Sequence, residues 1–202
     1  MNRAVGVVAA TILLLLGLTA CSEDTWDGGD AGSASTESPS SGSSSDGSSS
    51  GGETIDGTGY TLTTPGDKDW TDITSDMKKQ SPLVDTAYRV SNSSTNFNIT
   101  KTSAQLDTSD TNEWKRQLKA ELTEAGVENI DFQGTADMDD SAAIQMSSRT
   151  EAESGETVYQ FHISTFHHDT AYSLTATDSS EEGAESIARS VAASWQWDDT
   201  SR

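Results

Sequence analysis

The chain has 202 residues, one cysteine and a formal charge of −21, from 33 acidic and 12 basic side chains. That balance sets aside nucleic acid and anionic headgroups as direct partners of the protein surface, because both call for Lys/Arg patches. A single cysteine also excludes an internal disulfide and a thiol-rich metal site.

In chain order, the first feature is a leader. Arg3 supplies a positive start, and Ala4 to Leu18 form an uncharged run of fifteen residues centred on Leu13-Leu14-Leu15-Leu16, shorter than the roughly twenty apolar residues of a membrane span. It ends in Leu18-Thr19-Ala20-Cys21, which resembles the lipobox of bacterial lipoprotein signals. That resemblance implies cleavage between Ala20 and Cys21, with the Cys21 thiol carrying diacylglycerol and its freed amine acylated. Two acyl chains or more give stable attachment where one is marginal. The expected address is the extracytoplasmic face of the cell membrane, held by lipid.

From Ser22 to Gly57 the composition is that of a tether, with 12 Ser and 8 Gly among 36 residues and neither Lys nor Arg. Such a segment buries too little apolar surface to offset its ordering entropy and is expected to be disordered. A flexible Gly/Ser chain of that length spans about 30 to 36 Å root-mean-square, and eight acidic residues stretch it further. The expected organisation is therefore a signal peptide over 1–20, a lipidated tether over 21–57 and one domain over 58–202.

Thr58 onward holds 25 acidic and 11 basic residues and is long enough for one real core. Gly59-Tyr60-Thr61-Leu62-Thr63 reads as a strand stopped by Pro65-Gly66, and Trp70 and Ile73 lead into a short helical or irregular stretch that ends before Pro82. Ala87 to Val90 and Asn96 to Lys101 read as strands. A helix follows: Asp110 or a neighbouring Ser/Thr can cap it, Trp114, Leu118 and Leu122 recur four apart, and Gly126 stands where helices commonly stop. Val127 to Phe132 and Ala142 to Ser148 read as strands about an acidic turn, Asp137 to Asp140. Thr157 to Phe166 and Ala171 to Thr177 form an expected hairpin closed at His167 to Thr170. Ala184, Ile187, Ala188, Val191, Ala192 and Trp195 form the apolar stripe of a last helix. Antiparallel strands with segregated helices predict an α+β sandwich.

The order of several local patterns resembles actinobacterial lipoproteins of the LpqN/LpqT type, which share a PsbP-like α/β/α sandwich with the extrinsic PsbP protein of photosystem II. The residues concerned are Tyr60-Thr61-Leu62-Thr63-Thr64-Pro65 with Trp70, Phe97-Asn98-Ile99, Ala171-Tyr172-Ser173-Leu174-Thr175, and Ile187 through Trp195-Gln196-Trp197. The resemblance implies a mainly antiparallel sheet flanked by helices and a non-enzymatic binding or accessory role in the cell envelope. For such a module the expected partner is a glycolipid, a peptide or a transporter protein, received in a pocket between sheet and helices or at an exposed sheet edge. The resemblance carries no catalytic, cofactor or metal residue over. Where a glycine turn is expected before the middle strand, the chain has Asp139-Asp140-Ser141, which leaves that strand's register open.

Chemical motifs are sparse. Ser75-Asp76-Met77-Lys78 matches the S-x-x-K of penicillin-recognising enzymes, but Ser109-Asp110-Thr111 and Lys101-Thr102-Ser103 echo its other boxes in the wrong order. Ser75 and Lys78 are expected on a solvated helix surface. Asp137, Asp139 and Ser141 have calcium-ligand spacing, yet Ala142 and Ser148 stand where an EF-hand needs glycine and glutamate. His162 falls on the strand face opposite Tyr159, Phe161 and Ile163, while His167, His168 and Asp169 are expected as exposed turn residues, too few to hold a metal well. No catalytic, cofactor-binding or metal-ligating residue is assigned, and the expected function is a binding or accessory module. An envelope enzyme with an unfamiliar site, or a folded spacer, are the alternatives.

Overall fold

Period-two alternation builds most of the molecule. The computed structural model describes residues 52–103, 111–124, 127–151 and 155–198. Its elements run β1 (Thr54–Asp56), β2 (Tyr60–Thr63), β3 (Trp70–Asp72), α1 (Thr74–Gln80), β4 (Val84–Val90), β5 (Asn96–Ser103), α2 (Thr111–Glu124), β6 (Asp131–Met138), β7 (Ser141–Glu151), β8 (Thr157–His167), β9 (Thr170–Asp178), α3 (Glu181–Ala193) and β10 (Gln196–Trp197). Seven strands form an antiparallel sheet in the order β3-β4-β5-β9-β8-β7-β6, and β1-β2-β10 form a small second sheet. The mixed α/β fold with a large antiparallel sheet flanked by helices is the one expected.

The two faces of the large sheet differ. Phe97, Ile99, Phe161, Ile163, Leu174 and Ala176 share one face and pack with Ala184, Ile187, Ala188 and Val191 of α3 and with Tyr60 and Leu62 of the small sheet. The opposite face meets α1 and α2 at its two sides. Met77 of α1 packs on Val84 and Ala87 of β4, and Trp114, Leu118 and Leu122 of α2 pack on Ile144 and Met146 of β7. Three strands, β5, β9 and β8, lie between those footholds.

Local chemistry sets the boundaries. The buried Asp178 accepts from the Ser180 N–H (3.1 Å) and the Thr95 hydroxyl (2.9 Å), while Ser180 Oγ caps α3 by accepting from the Gly183 N–H at 3.1 Å. A Cβ on Gly183 would fall 2.4 Å from Asp178 Oδ1, so only glycine fits that first turn. Past the helix end, Trp195 stacks on Tyr60 at 4.1 Å between centroids. Trp197 donates its backbone N–H to Asp139 at 2.7 Å and its indole N–H to the Met138 carbonyl at 3.1 Å, tying the small sheet to the large one.

Three expectations change. The small sheet begins at Thr54, inside the stretch read as tether, because Ile55 is buried on pairing with Leu62; residues 22–51 of that stretch lie outside the described residues. Val127 to Phe132 is not a strand of its own. Val127 donates its N–H to Leu122 O (2.9 Å) and packs against α2, whereas the strand starts at Asp131 and continues through Asp137 to Met138. The turn shrinks to Asp139 and Asp140, whose φ values of 44° and 63° are left-handed. His168 and Asp169 close the β8–β9 hairpin likewise, at 45° and 56°. Two left-handed residues make the tight turn whose twist matches the flanking strands, and Asp and His tolerate that region better than most side chains. The register is then settled, with Met138 opposite Ser141. Asp110 and Gly126, expected at the ends of α2, lie outside the described residues.

Candidate functional site

The centre of the face between α1 and α2 carries polar side chains alone. From β5 come Asn96, Asn98 and Thr100, from β9 Ser173, Thr175 and Thr177, and from β8 Gln160, His162 and Ser164, arranged by register in rows. All nine are buried. Sequence alternation places them opposite the aromatic core, where a solvated face is the simple expectation. The structure encloses them instead.

A relay of three side chains spans two rows: His162 and Thr175 share one, and Ser148 lies opposite Gln160 in the next. His162 is wholly buried, and its Nε2 lies 3.1 Å from Ser148 Oγ while its Nδ1 lies 3.0 Å from Thr175 Oγ1. Burial holds the imidazole down at about 4, so it is neutral at neutral pH, with one ring nitrogen donating and the other accepting. This serine–histidine pair was not legible in the sequence, because Ser148 and His162 meet only through the β7–β8 register. Its third member is a hydroxyl, which stabilises an imidazolium far less than the carboxylate that supports an activated serine. A neighbouring row pairs Ser164 Oγ with Ser173 Oγ at 2.9 Å.

Three buried oxygens near one end of this face accept no hydrogen bond among the described residues: Asn96 Oδ1, Gln160 Oε1 and Thr150 Oγ1. Gln160 and Asn96 are 5% and 8% exposed, so each is cut off from bulk solvent. Both flank Thr177 in one row, and Thr150 of β7, opposite Val158 of β8, stands diagonally from Gln160. Beside Thr150 opens a cleft of about 390 Å³ lined by Glu128, Asn129, Arg149, Thr150, Glu151 and Thr157.

On the aromatic side, the buried Asp85 accepts from the Thr58 N–H (2.9 Å) and hydroxyl (2.8 Å), with Lys101 Nζ at 3.3 Å. Burial pushes its carboxyl up, but the two Thr58 hydrogen bonds and the Lys101 charge outweigh that and hold it below the usual range. Tyr60, whose hydroxyl meets Thr86 Oγ1 at 2.8 Å, has its phenol pushed far up by burial and by Asp85. These contacts join the two sheets.

The residues singled out from sequence fare differently. Cys21 and Ala20 lie outside the described residues. Ser75 and Lys78 are exposed on α1, as expected. His168 is exposed, but His167 is half-buried, stacked on Trp197 at 4.1 Å and 3° between planes; the return of β10 along the hairpin covers it. Among the described residues no group of three or more His, Cys, Asp or Glu is placed to hold a metal ion.

No family model matches the chain and no curated protein matches it in sequence. Among solved structures, cyanobacterial PsbP (CyanoP) from Synechocystis sp. PCC 6803 superposes with a TM-score of 0.55 at 15% identity, over 78% of this chain and 98% of that one. A protein from Bacteroides thetaiotaomicron VPI-5482 matches at a TM-score of 0.48 and 12% identity, covering 71% of this chain and 47% of that one. At 15% identity the CyanoP likeness is one of fold alone.

Proposed function

We propose that the protein is a lipid-anchored accessory module of the bacterial cell envelope, of the LpqN/LpqT kind, that binds a partner rather than transforming it. The observation that supports this most directly is the buried face of nine neutral polar side chains, rich in hydrogen-bonding groups and without a charged or activated one. The Cys21 lipobox supports the membrane address, and the PsbP-like fold agrees with an accessory role. An envelope glycolipid or a transporter protein is the proposed partner. The Ser148–His162 hydrogen bond is the one observation favouring an enzyme, and its burial and hydroxyl neighbour weigh against that reading.

The test has two parts. Cys21→Ala should abolish partitioning into detergent while leaving circular dichroism unchanged, and wild-type protein found in the aqueous phase of its own cells would refute the anchor. Cross-linking of the lipidated protein in its own envelope, followed by purification, should yield one abundant lipid or transporter. Turnover of an envelope component that is lost in a folded Ser148→Ala variant would instead make the protein an enzyme.

A further inference from the structure

We infer that the end of the polar face marked by Asn96, Thr150 and Gln160, together with the adjoining cleft, is a binding site for an uncharged, hydroxyl-rich small molecule such as a sugar. The inference rests on the binding-module reading and gives it a location and a ligand class. Three oxygens without a donor lie on one sheet face, in neighbouring rows at one end. Strand spacing puts Asn96 and Gln160 about 10 Å apart, and the diagonal from Gln160 to Thr150 is about 7 to 8 Å. That is the span of a one- or two-ring sugar.

The chemistry selects the ligand by exclusion. Amide oxygens are acceptors only, so the molecule must bring donors. An apolar ligand would leave them unpaired, which buried polar groups resist. An anion finds no buried cation on this face among the described residues, and Glu128 and Glu151 at the cleft repel it. A cation at this end of the face would find no buried carboxylate on that face among the described residues to offset its desolvation, and Arg149 belongs to the cleft lining. Hydroxyl groups donate without carrying charge. Thr150 belongs both to the cleft lining and to the set of unpartnered oxygens, whereas Asn96 and Gln160 lie outside that lining, so Thr150 is the link between the cleft and the end of the polar face.

The test uses the full chain carrying Cys21→Ala, titrated with glucose, maltose and N-acetylglucosamine, with spermidine and inorganic phosphate as charged probes. At least one sugar should give saturable amide shifts centred on Asn96, Thr150 and Gln160, and neither charged probe should. Gln160→Leu removes the carboxamide and Thr150→Val the hydroxyl, each at nearly constant volume. Each should weaken sugar binding by up to about tenfold without lowering the melting temperature, because the oxygen removed has no protein partner to lose. If Gln160→Leu fails to fold, the half-buried Thr150→Val carries the comparison. Silence with all three sugars, shifts confined to other strands, unchanged affinity in the folded variants, or preferential binding of spermidine or phosphate would each overturn the site. If the sugars fail while the lipidated protein still captures an envelope partner, the site falls and the accessory role stands.

Discussion

His162 carries the largest consequence of any single side chain. Its imidazole is held at about 4 by burial, whereas an unfolded histidine titrates near 6.5. The unfolded chain therefore binds this proton more readily than the folded one. Above about pH 6.5 the group has no effect on stability; as pH falls from there towards 4 the fold loses on the order of 3 kcal/mol. Asp85 acts in the same direction at lower pH. Its carboxyl is held below the usual range, so its contribution is present above the unfolded value and is lost as pH falls through the folded one. Urea unfolding at pH 7 and pH 4.5 should show the wild type much weaker in acid and His162→Asn less sensitive; an identical pH slope in the variant would assign the titration elsewhere. His162→Ala, by contrast, strands the Ser148 and Thr175 hydroxyls and should destabilise at any pH, at about 1 to 3 kcal/mol per stranded group. Parity alone put His162 on the polar face, but burial depends on what the rest of the chain lays over it.

At the scale of elements, helices were the more legible. The i, i+4 recurrence of Trp114, Leu118 and Leu122 is local, and all three are buried against β7 and its neighbours. Leu118→Ala should cost roughly 2 to 5 kcal/mol, measurable by chemical unfolding, and a loss under about 0.5 kcal/mol would place the side chain on the surface. Strand boundaries were harder. Val127 is as apolar as a strand residue, yet it extends the cluster under α2, and the β6 strand that follows, with the bulge at Gly134, alternates weakly because it is an edge with one face half exposed. The acidic pair Asp139-Asp140 concealed a two-residue turn, since its left-handed conformation is normally announced by Asn-Gly or Asp-Gly.

For the whole molecule, separation between anchor and domain is the organising feature of the proposed function. A domain with 25 acidic against 11 basic residues from Thr58 onward gains nothing from lying on anionic lipid. A long Ser/Gly tether would hold it clear. Deleting half of Ser33 to Ser50 reduces a flexible span only through the square root of its length and leaves several tens of ångströms of reach, at about 3.3 to 3.6 Å per residue. Such a deletion should complement a strain lacking the protein, scored on whatever envelope phenotype the loss produces. Failure with normal lipidation and folding would mean that the tether itself makes a specific contact.

The sequence by itself determined the three helices, the longer strands and the side chains that share a strand face, because each rests on periodicity or spacing within about ten residues, whereas the short strands β1, β3 and β10 carried too few residues to show a period. Only the tertiary structure decided the strand order β3-β4-β5-β9-β8-β7-β6, which seats β9 between β5 and β8. That order brings Asn96 and Gln160 to either side of Thr177, and the β7–β8 register sets Ser148 opposite Gln160, diagonally within reach of His162. It also turns a polar strand face, which reads as solvated, into a buried one between α1 and α2. Those juxtapositions join residues far apart along the chain, and which partners meet depends on the competition among all possible pairings for one common core, a quantity that no local pattern contains.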